Sequence, residues 1–180
     1  EVRTEEDPDV KPYIQETDTE WIKVDLTEPF LEIKEYLDNC YNSKIKLMKD
    51  LNIIDKTQFS KTELLKMLGQ FQGQLIRGQK DFKIMKGISL TAEVIKINHS
   101  QEMLETQGIE ALYTYQQKLF KESEKTKTKS IKNLAKDLNF RSAFIKAREL
   151  IEKGIEHPKL TKLKEIIKQN PDLKTIVFNQ

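Results

Sequence analysis

Cysteine is nearly missing from this sequence: Cys40 stands alone, which excludes an internal disulfide and a zinc site built from cysteines and fits a reducing cytoplasm. Glycine and proline are scarce too, at 6 and 5 of 180 residues, so the composition is that of a helix-rich domain rather than a sandwich, a collagen or a linker. Long apolar runs are also lacking, and with a mean hydropathy of −0.63 nothing here is expected to span or enter a membrane. Glu1, Glu5, Glu6 and Asp7 stand where a secretion signal would be basic and then apolar.

What is present is length enough for one domain that buries roughly 70% of its unfolded surface. Charge is abundant and unevenly placed. Residues 1 to 40 hold 13 acids against 4 bases, whereas residues 121 to 148 hold 9 bases against 3 acids, beneath a net charge of only +2. A concentrated basic stretch raises the local potential and attracts polyanions.

Along the chain, residues 1–19 are acidic and carry Pro8 and Pro12, which predicts an extended linker. In residues 20–26 the apolar Ile22, Val24 and Leu26 alternate with polar neighbours, the period of a half-buried strand. Thr27 is placed to cap a first helix with the apolar row Phe30, Ile33, Leu37, Cys40, Ile45, Met48 and Leu51. Ser60 and Glu63 form a capping-box pattern ahead of Leu64, Leu68, Phe71 and Leu75, and Gly78 ends that second helix.

A third helix is read from Phe82, Met85, Ile88, Ala92, Ile95, His99 and Met103, with its stop at Gly108. The fourth runs from Ile109 through Leu112, Tyr113, Gln116, Leu119 and Phe120 into Ser123–Lys129, which is polar enough to predict a mobile loop. A short helix around 131–138 and a longer one carrying Phe140, Phe144, Ala147 and Ile151 follow, closing at Gly154. Pro158 opens a last helix with Leu160, Leu163, Ile166 and Ile167, and Thr175–Phe178 reads as a buried strand. Two lone strands around a helical block make a poor sheet. They are expected to belong to a neighbouring sheet-based domain.

Catalytic patterns are not found in the sequence. Gly69, Gly73 and Gly78 fall inside a helical pattern rather than after a strand, so no phosphate loop is formed. His99 and His157 have no second histidine or cysteine at ligand spacing and read as a helix-face residue and a cap. Glu102 and Glu105 read as solvated surface, and Trp21, Tyr113 and Tyr115 as packing rather than base-stacking residues. The feature above background is the basic stretch with Lys125, Lys127, Lys129, Lys132, Lys136, Arg141, Lys146 and Arg148, where Thr and Ser between the lysines suit phosphate contacts. A solvated helix surface is the plainer alternative for the same residues.

Five strings, Asp9–Tyr13, Glu20–Leu26, Leu104–Gly108, His157–Leu160 and Leu163–Ile167, together with Thr175–Phe178, occur in order and at a spacing that spans nearly the whole chain. In this order they resemble the archaeal Hef and Fanconi-anaemia-M group of superfamily-2 DNA helicases. The resemblance implies a mainly α fold: a multi-helix bundle insertion, thumb-like, with short terminal β segments that belong to the second RecA-like motor domain. Residues 20–26 would then be a strand stub, 27–156 the helical insertion, and 157–180 a helix and strand stub of the motor. The chain itself is expected to carry no catalysis, metal or cofactor.

The implied parent unwinds forked or branched DNA with ATP and magnesium in DNA repair at replication forks, in some archaeal members fused to a nuclease. Its partners would be forked DNA and the motor domains of the same polypeptide. Its location would be the nucleoid in an archaeon or the nucleus in a eukaryote. Two other readings remain open at this stage: a protein-interaction or bracing module without DNA affinity, and an insertion of the kind found in RNA-sensing helicases.

Overall fold

The computed structural model describes residues 18–171 and 174–178. Most of the linker reading, including the string Asp9–Tyr13, lies outside the described residues. Seven α-helices are formed among them: α1 Glu28–Asp50, α2 Lys61–Ile76, α3 Phe82–Glu102, α4 Ile109–Lys125, α5 Lys129–Lys136, α6 Leu138–Glu152 and α7 Pro158–Gln169.

α1 follows its apolar row closely, burying Phe30, Ile33, Leu37, Cys40, Ile45 and Met48 along one stripe. Thr27 occupies the N-cap position but its side chain makes no capping bond, and Pro29 in the first turn supplies a fixed φ instead. α2 starts on a complete capping box, with Ser60 Oγ accepting from Glu63 N–H at 3.3 Å and the Glu63 carboxylate accepting from Ser60 N–H at 2.8 Å. After Ile76 the chain turns at Gly78, whose φ of +86° is open to glycine at no steric cost.

Two cores share α1 and α3. The larger joins Phe30, Ile33, Leu37 and Cys40 of α1 to Ile97 of α3, Leu112 and Leu119 of α4, Leu134 of α5, and Phe140, Ala143, Ala147 and Leu150 of α6. The smaller joins Ile45 and Met48 to Leu64 of α2 and to Leu90 and Val94 of α3. α3 is therefore the central helix, touched by α1, α2, α4 and α5. Its buried side is not the row read from the sequence: Leu90, Glu93, Val94, Ile97 and Ser100 are buried, while Phe82 and Met85 are exposed and Ile88, Ala92, Ile95, His99 and Met103 half-buried. A helix surrounded by four others buries polar residues as well, and the 3.6-residue apolar period then no longer marks its inner face.

α3 runs on into a π-helical turn, Met103–Gln107, before Gly108 at φ +96° turns the chain into α4. The loop expected over residues 123–129 shrinks to Thr126–Thr128, because α4 continues to Lys125 and α5 begins at Lys129. A polar segment can stay helical when its side chains face water; polarity excludes burial, not helix. At the far end α7 is capped by His157, whose Nδ1 accepts from Lys159 N–H at 3.2 Å.

Residues 20–26 and 174–178 form no strand among the described residues. A ladder needs a partner for its backbone groups, and none of the seven helices can supply one. Trp21 at 92% and Phe178 at 90% exposure stand in solvent rather than in a core, so the packing reading of Trp21 is not met within the described residues. Tyr113 and Tyr115 do pack, the first stacked on Phe144 at 4.9 Å and the second edge-on to His99 at 4.6 Å.

Candidate nucleic-acid interface

α5 is only eight residues long, too short to be stable alone, and its inner side holds it in place: Ser130, Ile131 and Leu134 are buried against the bundle. The three- and four-residue steps between Lys129, Lys132 and Lys136 place all three on the opposite, exposed side. They cover about 10 Å along the helix axis, the axial run of about three nucleotides of one strand. Lys125 at the end of α4, Lys127 in the connector and Arg141 in the first turns of α6 are exposed as well. Among the described residues none of these six cations is in an ion pair.

Lys146 and Arg148, expected to support the same site, are engaged elsewhere. Lys146 Nζ lies 2.5 Å from Glu32 of α1, and Arg148 Nε lies 2.8 Å from Glu152 on its own helix. The hydrogen bond between Glu32 and Lys146 lowers the carboxyl pKa and raises that of the ammonium. Acids also border the patch, since Glu122 and Glu124 are exposed on the last turn of α4.

Under α5 lies a polar network that the apolar pattern did not reveal. Glu93 of α3, 1% exposed, accepts from Asn133 Nδ2 at 2.6 Å and Ser89 Oγ at 3.0 Å, and Lys44 Nζ of α1 stands 3.6 Å away. Lys44 also donates to Asp137 Oδ2 at 2.7 Å, while the other oxygen of Asp137 caps α6 by accepting from Phe140 N–H at 3.2 Å. Burial pulls the Lys44 pKa down, but the Asp137 hydrogen bond and the charges of Asp137 and Glu93 outweigh it and the net shift is upward. Burial raises the Asp137 pKa, and the bonds from Lys44 and Phe140 N–H outweigh it, leaving it lowered. The signal for this network was available: Glu93 stands between Leu90 and Ile97 at core spacing.

The Cys40 thiol is buried, and desolvation pushes its pKa far up, against the thiolate that nucleophilic attack requires. Among the described residues there is no group of three or more His, Cys, Asp or Glu side chains that could hold a metal ion. A cleft between the start of α4, α7 and Phe178 includes Glu110, His157 and Lys159, but His157 Nδ1 is committed to capping α7.

Residues 29–154 match the family model described as "Putative ATP-dependent RNA helicase, helical bundle". The chain belongs to this family. A protein of Methanocaldococcus jannaschii named "Putative ATP-dependent RNA helicase" is 32% identical over 185 aligned residues, covering 100% of this chain and 22% of its own length. The crystal structure of the Pyrococcus furiosus Hef helicase domain superposes with a TM-score of 0.76 at 30% identity, over 93% of this chain and 35% of that one. The chain thus spans about a fifth of the curated relative and a third of the solved one. The Hef likeness expected from the ordered strings is met, as is the mainly α bundle. The family bundle covers α1 through α6 and excludes α7, which buries no residue.

Proposed function

We propose that this chain is the nucleic-acid-binding helical insertion of an ATP-dependent helicase acting on forked or branched DNA. In this reading residues 27–156 form the insertion, and residues 20–26 and 157–180 belong to a motor domain. The chain itself does no chemistry. ATP and magnesium are used by the motor domains of the parent, in which a nuclease can also be fused. The observation that carries the reading is the set of six exposed cations around α5 that have no ion partner among the described residues.

Lys125, Lys127, Lys129, Lys132 and Lys136 would neutralise phosphates, with Arg141 beside them. Ammonium groups on flexible stems suit backbone contact and recognition of shape, not of sequence. Exposed apolar side chains on α7 and at Trp21, Ile176 and Phe178 support docking onto the motor domains of the same polypeptide. The relatives' names divide between RNA helicase and Hef, and the ordered strings favour DNA. Competition of a labelled DNA fork with unlabelled RNA of the same shape decides the substrate.

The decisive experiment compares fork and linear-duplex binding of the wild type with that of a Lys127→Glu, Lys129→Glu, Lys132→Glu variant across a salt series. Loss of affinity in the variant is expected. Unchanged affinity would reject the assignment.

Exposure of Phe82 and Met85 on α3 favours a second reading, in which the bundle docks a protein partner or braces the motor. That module would show no appreciable DNA affinity on its own.

A further inference from the structure

We propose that the α2–α3 hairpin is a second nucleic-acid contact, its tip stacking Phe82 on an unpaired base while Arg77, Lys80 and Lys83 hold the adjoining phosphates. The proposal shares with the preceding reading the premise that the chain binds nucleic acid, but it rests on different residues.

The hairpin stands apart from the bundle. Leu64 and Met67 anchor the start of α2 on the smaller core, yet from Leu65 to Lys86 no residue is buried. Beyond the anchor the two helices hold each other. The absence of a side chain at Gly87 lets the Phe71 ring lie where a Cβ would meet it at 2.9 Å, and the row Leu68, Phe71 and Leu75 is half-buried. The apolar face of α2 is thereby used inside the hairpin.

Three apolar side chains at the tip remain outside. Ile76 is 86% exposed, Phe82 62%, and Met85 is exposed beside them. The hairpin is basic: the segment 66–86 contains Lys66, Arg77, Lys80, Lys83 and Lys86 against the single acid Asp81, with Arg77, Lys80 and Lys83 within a few residues of Phe82, and none of the five is in an ion pair among the described residues. Asp81 itself is engaged in capping α3, accepting from Lys83 N–H at 3.2 Å.

An exposed aromatic ring at a hairpin end that carries Arg77, Lys80 and Lys83 and the single acid Asp81 is complementary to a polyanion with accessible π faces. Unpaired bases present such faces and stacked duplex bases do not. A bilayer surface would favour a continuous apolar stripe with cations along its other side. Here the row Leu68, Phe71 and Leu75 of α2 is spent on α3, and the side chains left exposed are Leu65 near the start of α2 and, at the other end of the hairpin, Ile76, Phe82 and Met85.

The test uses the 180-residue chain with a fluorescent single strand, a blunt duplex and a single strand carrying 2-aminopurine. Phe82→Ala should weaken single-strand binding by about fivefold or more and leave blunt-duplex binding unchanged. Quenching of 2-aminopurine should disappear in Phe82→Ala and persist in Phe82→Trp, while an Arg77→Glu, Lys80→Glu, Lys83→Glu variant loses single-strand affinity and its salt dependence. Phe82 is exposed at the first position of α3, so equal melting temperatures are expected and confirm that the variants are folded.

Charge reversal at Lys129, Lys132 and Lys136 separates the two proposals. If that variant keeps its duplex affinity while Phe82→Ala loses single-strand affinity, the α5 reading fails and this one holds. No single-strand affinity in the wild type, or unchanged affinity and quenching in Phe82→Ala, overturns the proposal. So does Phe82-dependent binding to phosphatidylserine vesicles with single-strand binding unaffected.

Discussion

Lys44 Nζ lies 2.7 Å from Asp137 Oδ2, joining the middle of α1 to the residue at which α5 ends and α6 begins. Through Lys44 the same contact reaches Glu93 on α3, so one ammonium group ties together the helices that support the basic face.

Lys44→Met should therefore be costly. It removes the cation while leaving the Glu93 and Asp137 carboxylates nearly buried, and breaking a buried pair in this way costs about 3–5 kcal/mol. Urea unfolding at neutral pH measures it. A loss below about 1 kcal/mol would mean that the carboxylates are satisfied without Lys44.

Ser60→Ala should loosen α2 with little effect elsewhere. Losing an N-cap side chain costs about 1 kcal/mol: the bond that Ser60 Oγ accepts from Glu63 N–H and the one it donates to the Glu63 carboxylate are lost, while the Ser60 backbone N–H still donates to that carboxylate. Hydrogen exchange should accelerate in the first turn of α2 and not in α6. Uniform acceleration across both helices would contradict a local role.

His157 makes stability depend on pH. Burial, with a smaller contribution from the charge of Lys159, lowers its pKa below the ordinary imidazole value of 6.5, so the folded state prefers the neutral ring that caps α7. As pH falls below 6.5 the unfolded chain takes up the proton first. The stabilisation is thus complete above that pH and declines until the lowered folded pKa is reached. His157→Asn keeps a capping side chain but should flatten this slope in urea midpoints across weakly acidic pH; an unaltered slope would assign it to other groups.

Salt should weaken fork binding steeply. With four to six phosphates contacted, log affinity against log salt should have a slope of roughly −3.6 to −5.4. Lys146→Gln and Arg148→Gln, whose native side chains face Glu32 and Glu152, should keep that slope, whereas loss of any of Lys129, Lys132 or Lys136 should reduce it by about 1. A reduced slope in the Lys146 or Arg148 variant would return those residues to the interface.

The helical identity of the chain, the positions of its stops and the site of its basic stretch were legible in the amino-acid order. The capping box at Ser60, the glycines at 78, 108 and 154 and the apolar row of α1 act through local backbone geometry, which needs no knowledge of the rest of the fold. Tertiary structure alone decided the inner face of α3. Four neighbouring helices touch it and bury Leu90, Glu93, Val94 and Ile97 while Phe82 and Met85 stay exposed, and Glu93 is admitted to the core because Lys44 of α1 and Asn133 of α5 reach it and Ser89, one turn earlier on α3, donates to it.

The same distinction divides the eight basic residues. Sequence placed them in one stretch, but only the folded chain turns Lys129, Lys132 and Lys136 outward while bringing Glu32 of α1 to Lys146. It also leaves residues 20–26 and 174–178 outside any strand among the described residues, since a ladder needs a neighbouring strand and cannot be supplied by a segment's own alternation of apolar and polar residues.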